Sequence, residues 1–142
     1  MPSPHPAPTP QDYQALSEFR YQLRRFLRFS EDAAQAEGLT GLQYQLLLHI
    51  KGNPERDWAL VGELAERLQI QQHGTVALVT RCEAAGLVQR VRSETDRRQV
   101  QVRLTARGEA CLKRLAALHR AQLQSLSGVF QVAHISAFND QL

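Results

Sequence analysis

The chain has 142 residues, 43% hydrophobic and 22% charged, with a formal net charge of +3, enough apolar material for one ordinary core without help from disulfides or metals. No apolar run approaches bilayer-spanning length, and the opening MPSPHPAPTP lacks both the basic and the apolar stretch of a secretion signal, so a membrane span is excluded and a cytoplasmic chain is expected. Two cysteines, Cys82 and Cys111, are too few and too widely spaced for a disulfide framework or a CxxC metal site. They read as reduced thiols, and neither a metal nor a cofactor is expected.

In chain order, residues 1–10 carry proline at every second position, which predicts a disordered or polyproline-like tail unable to enter a helix. From Gln11 the apolar stripe Leu16, Phe19, Leu23, Phe26, Leu27, closed by Ser30 and flanked by Arg20, Arg24, Arg25 and Arg28, predicts one long amphipathic helix over 11–37. Thr40 is placed to cap a second, more buried helix with Leu42, Leu46, Leu47 and Ile50, closed by Gly52. Asn53 and Pro54 force a loop, after which Trp58, Ala59 and Leu60 read as a very short strand.

The segment VGELAERL puts Val61, Leu64, Ala65 and Leu68 on one face. QIQQ makes a short turn plugged by Ile70, and HGTVALVTRCEAAG puts Thr75, Leu78, Val79 and Cys82 on one face of a helix that stops at Gly86. Two short helices joined by a tight turn are a helix-turn-helix candidate or an ordinary αα-hairpin, and periodicity does not separate the two. The next two segments of the chain do. LVQRVR and QVQVRLT alternate at period two, with Val88, Val91, Val100, Val102 and Leu104 available for a buried face, and predict a β-hairpin around SETDRR. Helix-turn-helix plus hairpin is a winged helix over 40–105 with its wing at 93–98. Thr105 caps a final helix with Leu112, Leu115, Leu118, Leu123 and Leu126, and the apolar but irregular SGVFQVAHISAFNDQL completes the chain. The expected fold is mainly α with a small β-hairpin (α+β), one domain over 11–142.

Charge is distributed unevenly. Residues 81–107 hold seven arginines (Arg81, Arg90, Arg92, Arg97, Arg98, Arg103, Arg107) against three acids (Glu83, Glu94, Asp96), a local +4, which leaves the rest of the chain at −1. Fifteen arginines against two lysines suit bidentate contact with phosphate or base edges, and codon bias produces the same usage. In a winged helix the second helix enters the major groove and the hairpin reaches the neighbouring backbone or minor groove, where negative potential attracts Arg. Gln72, His73, Val76, Ala77 and Thr80 form the outward face of that helix, with Gln and His suited to base edges and Val or Ala to thymine methyls. Arg81 and Arg90 fit phosphate contacts, and Asp96 is placed to hold the Arg98 guanidinium in one rotamer. The candidate DNA-contacting set is Gln71, Gln72, His73, Thr75, Val76, Thr80 and Arg81 on the helix and Arg90, Asp96, Arg97 and Arg98 on the hairpin. Taken alone, SETDRR is equally a solvated turn and Gln71 to His73 a solvated helix start.

These residues resemble the MarR family of winged-helix transcriptional regulators. The resemblance is carried by ELAERL, by E-x-x-G-L-V at Glu83, Gly86, Leu87 and Val88, by the wing D-R-R at Asp96, Arg97 and Arg98, and by L-T-x-x-G at Leu104, Thr105 and Gly108. It implies a homodimer held by the first and last helices (11–37 and 106–142), a pseudo-palindromic double-stranded DNA operator, more often repression than activation, and release by a small anionic or aromatic effector or by oxidation. HGTVAL departs from the family at His73, Gly74 and Ala77, so the operator preference is not transferred, and Cys82 stands where the family usually has a core Leu. Tyr13, Tyr21, Tyr44, His49 and Trp58 are candidate cleft residues or, as scattered aromatics usually are, core and interface. Two alternatives stay open: a protein-interaction module on the same scaffold, and a thiol redox sensor through Cys82 or Cys111. No nucleophile-base arrangement or phosphate-binding Gly loop points to an enzyme.

Overall fold

The computed structural model describes residues 5–125. In chain order it comprises α1 (Pro10–Ala36), α2 (Gly41–Lys51), β1 (Trp58–Ala59), α3 (Val61–Leu68), α4 (Gln72–Ala84), β2 (Val88–Arg92), β3 (Val100–Leu104) and α5 (Ala106–Ser125). The strands form one antiparallel sheet in the order β1-β3-β2. The chain divides into two compact units, one containing α1 as far as Ser30 together with α5 from His119, the other running from Glu31 to Leu118.

The tail meets its helix earlier than proline spacing predicts. Pro10 is the first residue of α1, where its missing N–H costs nothing. Thr9 and Asp12 close a reciprocal cap in front of it, Thr9 N–H donating to Asp12 Oδ2 (2.8 Å) and Asp12 N–H to Thr9 Oγ1 (3.2 Å). In the unit that contains this start, His119 is buried and its Nε2 lies 2.8 Å from Ser30 Oγ, with Phe26 and Phe29 edge-on to its ring. Residues 1–4 and 126–142, including Leu126 and the segment SGVFQVAHISAFNDQL, lie outside the described residues.

The Glu31–Leu118 unit is a winged helix. Thr40 caps α2 as expected, in a reciprocal box with Gln43 (2.9 and 3.1 Å). Leu46, Leu47 and Ile50 of α2, Leu64 and Leu68 of α3, Leu78, Val79 and Cys82 of α4, Val88 and Val102 of the sheet, and Leu112 and Leu115 of α5 form one buried cluster. Each large aliphatic so buried contributes roughly 1.5–3 kcal/mol before entropy is counted. Glu63 accepts the Leu60 N–H at the start of α3 (2.9 Å) and pairs with Arg56, which stacks over Trp58 at 3.9 Å. Strand β1 lies beside β3, with Trp58 opposite Arg103 and Ala59 opposite Val102.

The turn between α3 and α4 lacks glycine, yet it adopts a conformation that favours one. Gln69 has φ +56°, which costs a non-glycine residue roughly 1 kcal/mol, and its side chain donates back to Glu66 O at 2.8 Å. Ile70 N–H then bonds Ala65 O, and Ile70 packs on the core. Helix α4 stops as the sequence predicts, with Gly86 at φ +75° and Leu87 N–H reaching back to Cys82 O.

The hairpin register corrects one sequence expectation. Val88 pairs with Leu104, Arg90 with Val102 and Arg92 with Val100, so Val88, Arg90, Val100, Val102 and Leu104 share a face. Val91 pairs with Gln101 on the opposite face and does not join the buried side. Residues three apart cannot face the same way in a strand, and Arg90 holds the position assigned to Val91.

Candidate nucleic-acid interface

Helix α4 is set by its inward residues. Thr75 is 0% exposed, between Leu78, Val79 and Cys82 in the core, and its hydroxyl donates to Gln71 O at 3.0 Å. Thr75 is therefore a packing residue and leaves the candidate contact face. Gln71, Gln72, His73, Val76, Ala77, Thr80 and Arg81 are all exposed, which leaves a band of amides, one imidazole and small apolar groups facing solvent. Among the described residues no acceptor is bonded to the Arg81 guanidinium.

The hairpin behaves differently at its two ends. At its base, Arg90 is held from α4 by four hydrogen bonds. Its N–H donates to Glu83 Oε2 (2.9 Å), Nη1 to Glu83 Oε1 (3.0 Å), and Nη2 to both Thr80 Oγ1 (2.9 Å) and Val76 O (3.2 Å). The Thr80 hydroxyl itself donates to Val76 O at 3.1 Å. The Arg90 N–H and its fork hold the Glu83 carboxyl below the usual carboxylate range. Three of the five guanidinium N–H groups of Arg90 are thus committed within the protein, away from the phosphate contact expected of it.

At the tip the chain folds on itself and leaves the cations outside. Ser93 Oγ accepts the N–H groups of Thr95 (3.3 Å) and Asp96 (3.2 Å), and Arg92 Nη1 bonds Arg97 O at 3.0 Å. Asp96 Oδ1 accepts the Arg98 N–H at 3.0 Å and sits 3.7 Å from its guanidinium. Asp96 therefore shapes the turn first and orients the arginine second. The Arg98 side chain is 95% exposed, and Arg97 has no bonded acceptor for its guanidinium among the described residues.

The base is tied to α5 by a close approach. Thr105 Oγ1 donates to Gly86 O (2.6 Å) and accepts the Gly108 N–H (3.0 Å), while Thr105 N–H bonds Leu87 O. A Cβ on Gly108 would lie 2.0 Å from Leu87 O. Only glycine fits, which gives the L-T-x-x-G pattern its physical reason.

The profile of the MarR family matches residues 37–99. Among solved structures, AbsC, a MarR family transcriptional regulator from Streptomyces coelicolor, is similar with a TM-score of 0.76 and 23% identity, over 96% of this chain and 92% of that one. MarR family transcription regulator SP03579 is similar at 0.74 and 27% identity, over 92% and 85% of the two chains. The profile match spans less than half of the chain, and the fold is the one that these MarR family structures share. A mutant of S. aureus MepR bound to an oligodeoxyribonucleotide shares the fold, with a TM-score of 0.65 and 18% identity over 91% of this chain and 90% of that one. No curated protein matches. The sequence reading missed Glu83, Arg92 and Ser93. Strand parity exposes the first, since Arg90 must face α4, and the spacing of Ser93 from Asp96 exposes the third.

Both cysteines are free and buried. Burial pushes the Cys82 thiol up to about 11, and burial, with Glu37 adding to it, raises that of Cys111, whose Sγ lies 3.8 Å from Glu37 Oε2. Reactive cysteines need thiolate, and both sites suppress it.

Proposed function

We propose that this chain is a sequence-specific, DNA-binding transcriptional regulator that acts as a homodimer on a pseudo-palindromic operator and represses until an effector releases it. One observation carries the reading: the helix-turn-helix presents a solvent-facing α4 surface of base-compatible side chains beside a wing tip whose Arg97 and Arg98 are exposed to solvent, Arg98 in a loose pair with Asp96. Gln72 and His73 lie at the N-terminal end of α4, the end that reads base edges in this motif. The DNA complex of the MepR mutant supports the reading by analogy of fold.

Dimerisation is supported by Tyr13, Leu16, Tyr21 and Leu27, which α1 leaves exposed. Two-fold symmetry then sets the two α4 helices about 34 Å apart, one turn of duplex. An anionic effector with an apolar body is supported by a groove of about 670 Å³ between α2 and α5, lined by Leu48, Ala110, Leu112 and Ala116 and flanked by Lys51 and Lys113. Lys51 is paired across it with Glu109 at 3.0 Å.

The protein's preference for one duplex over its scrambled counterpart, measured by fluorescence anisotropy across a salt series, tests the proposal. The regulator reading expects an inverted repeat to be preferred and binding to fall steeply with salt. Equal weak affinity for every sequence, or a protein partner bound without salt dependence, would favour the interaction-module reading.

A further inference from the structure

We infer that Arg90 is a positioning residue, through which the acid Glu83 strengthens DNA binding by fixing the angle between the recognition helix and the wing. The inference rests on the DNA-binding reading and deepens it. The geometry supplies three reasons. Strand β2 is an edge of the sheet, and the Arg90 N–H on its open side is taken by Glu83, so the α4 carboxylate adds a tie from the helix to the strand. The Arg90 fork then spans α4 over two turns, from Val76 O through Thr80 Oγ1 to Glu83 Oε1. Finally, Thr80 uses its hydroxyl proton on Val76 O and its lone pair on Arg90, which leaves a base edge only a weak remaining acceptor. The planar guanidinium with its several donors can serve these acceptors together, whereas a lysine ammonium is a single point. The wing base and α4 move as one body, and the distance from Gln72 and His73 to Arg98 is fixed before DNA arrives.

This arrangement reverses ordinary electrostatics. Removing an acid from a DNA-facing surface normally tightens binding, and doubly so where it frees a neighbouring arginine for phosphate. The clamp predicts the opposite. Glu83→Ala, Arg90→Ala and Arg90→Lys should each weaken binding of the duplex selected by the protein from a random pool by about tenfold, equivalent to 1.4 kcal/mol. The salt slope should be unchanged, because no phosphate contact is lost. The Glu83→Ala, Arg90→Ala double variant should be no weaker than either single one.

Folding is monitored by circular dichroism, and the clamp itself by nitrogen-detected NMR of the DNA-free protein, where restricted rotation separates the Arg90 Nη resonances and Glu83→Ala merges them. Tighter binding by Glu83→Ala, full affinity of Arg90→Lys, or a salt slope that falls by about one unit per protomer in Arg90→Ala would each overturn the inference and return Arg90 to the phosphate backbone. Wild-type protein that binds no duplex while its Arg90 resonances stay separated overturns the DNA reading, and the positioning role with it. Duplex binding with a freely rotating Arg90 guanidinium overturns the clamp alone.

Discussion

The two ends of one hairpin put arginines to opposite uses. At the base, Arg90 is folded back against Glu83, Thr80 and Val76 and points into the protein. At the tip, among the described residues, Arg98 is held by its own backbone turn and a loose pair with Asp96, and its guanidinium is given to solvent. Both residues count equally in the local charge excess of residues 81–107. The difference teaches that charge density alone does not separate a cation committed within the protein from one given to solvent; strand parity and the nearest acceptor do.

The largest expected effect breaks the base. Gly108→Ala places a methyl group 2.0 Å from Leu87 O, so stability in urea should fall by at least about 3 kcal/mol, the upper part of the overpacking range. A loss below about 1 kcal/mol, the lower end of that range, would mean that α5 shifts freely at its first turn. On the solvent-facing side of α4, Gln72→Ala and His73→Ala should, if the regulator proposal holds, change which base pair is preferred in a competition assay, by about 1–3 kcal/mol at the affected position. Uniform weakening across all sequences would demote both to positioning.

At the tip the effect is smaller but diagnostic. Arg98→Ala should flatten the salt slope by about one unit per protomer, the change that Arg90→Ala should not produce. The turn that sets α3 against α4 offers a gain instead: Gln69→Gly removes a positive-φ penalty and should stabilise the fold by about 1 kcal/mol, less the Glu66 hydrogen bond. A lower melting temperature would show that this bond outweighs the strain. Smallest in consequence, Cys82 with its thiol near 11 should resist alkylation at neutral pH until the protein unfolds, while rapid reaction of the native state would revive the redox alternative.

Much of the architecture is legible because the patterns are local. Thr40 with Gln43, the stop at Gly86 and the period-two runs around SETDRR each specify their element within a few residues, and each is found where the pattern puts it. Less legible are features that need two elements at once. The Gly108 requirement exists because Leu87 O approaches from the hairpin, and the commitment of Arg90 exists because α4 ends beside β2. Val91 is misplaced when apolar identity guides its facing, where parity with Val88 is the stronger constraint. Thr75 enters the contact set through its position on α4, although its own neighbours Leu78 and Val79 already mark the inward stripe. Pro10 joins the helix because the first turn asks for no N–H, a context in which proline favours helix rather than preventing it.

Selection of duplex DNA from a random pool by the purified protein, with a salt titration on the enriched sequence for wild type and Arg98→Ala in parallel, tests the regulator reading most directly. An inverted repeat with half-sites one helical turn apart, a steep negative salt slope, and a shallower slope for the variant are expected. A folded protein that enriches no sequence and whose weak binding is the same with and without Arg98 would contradict it.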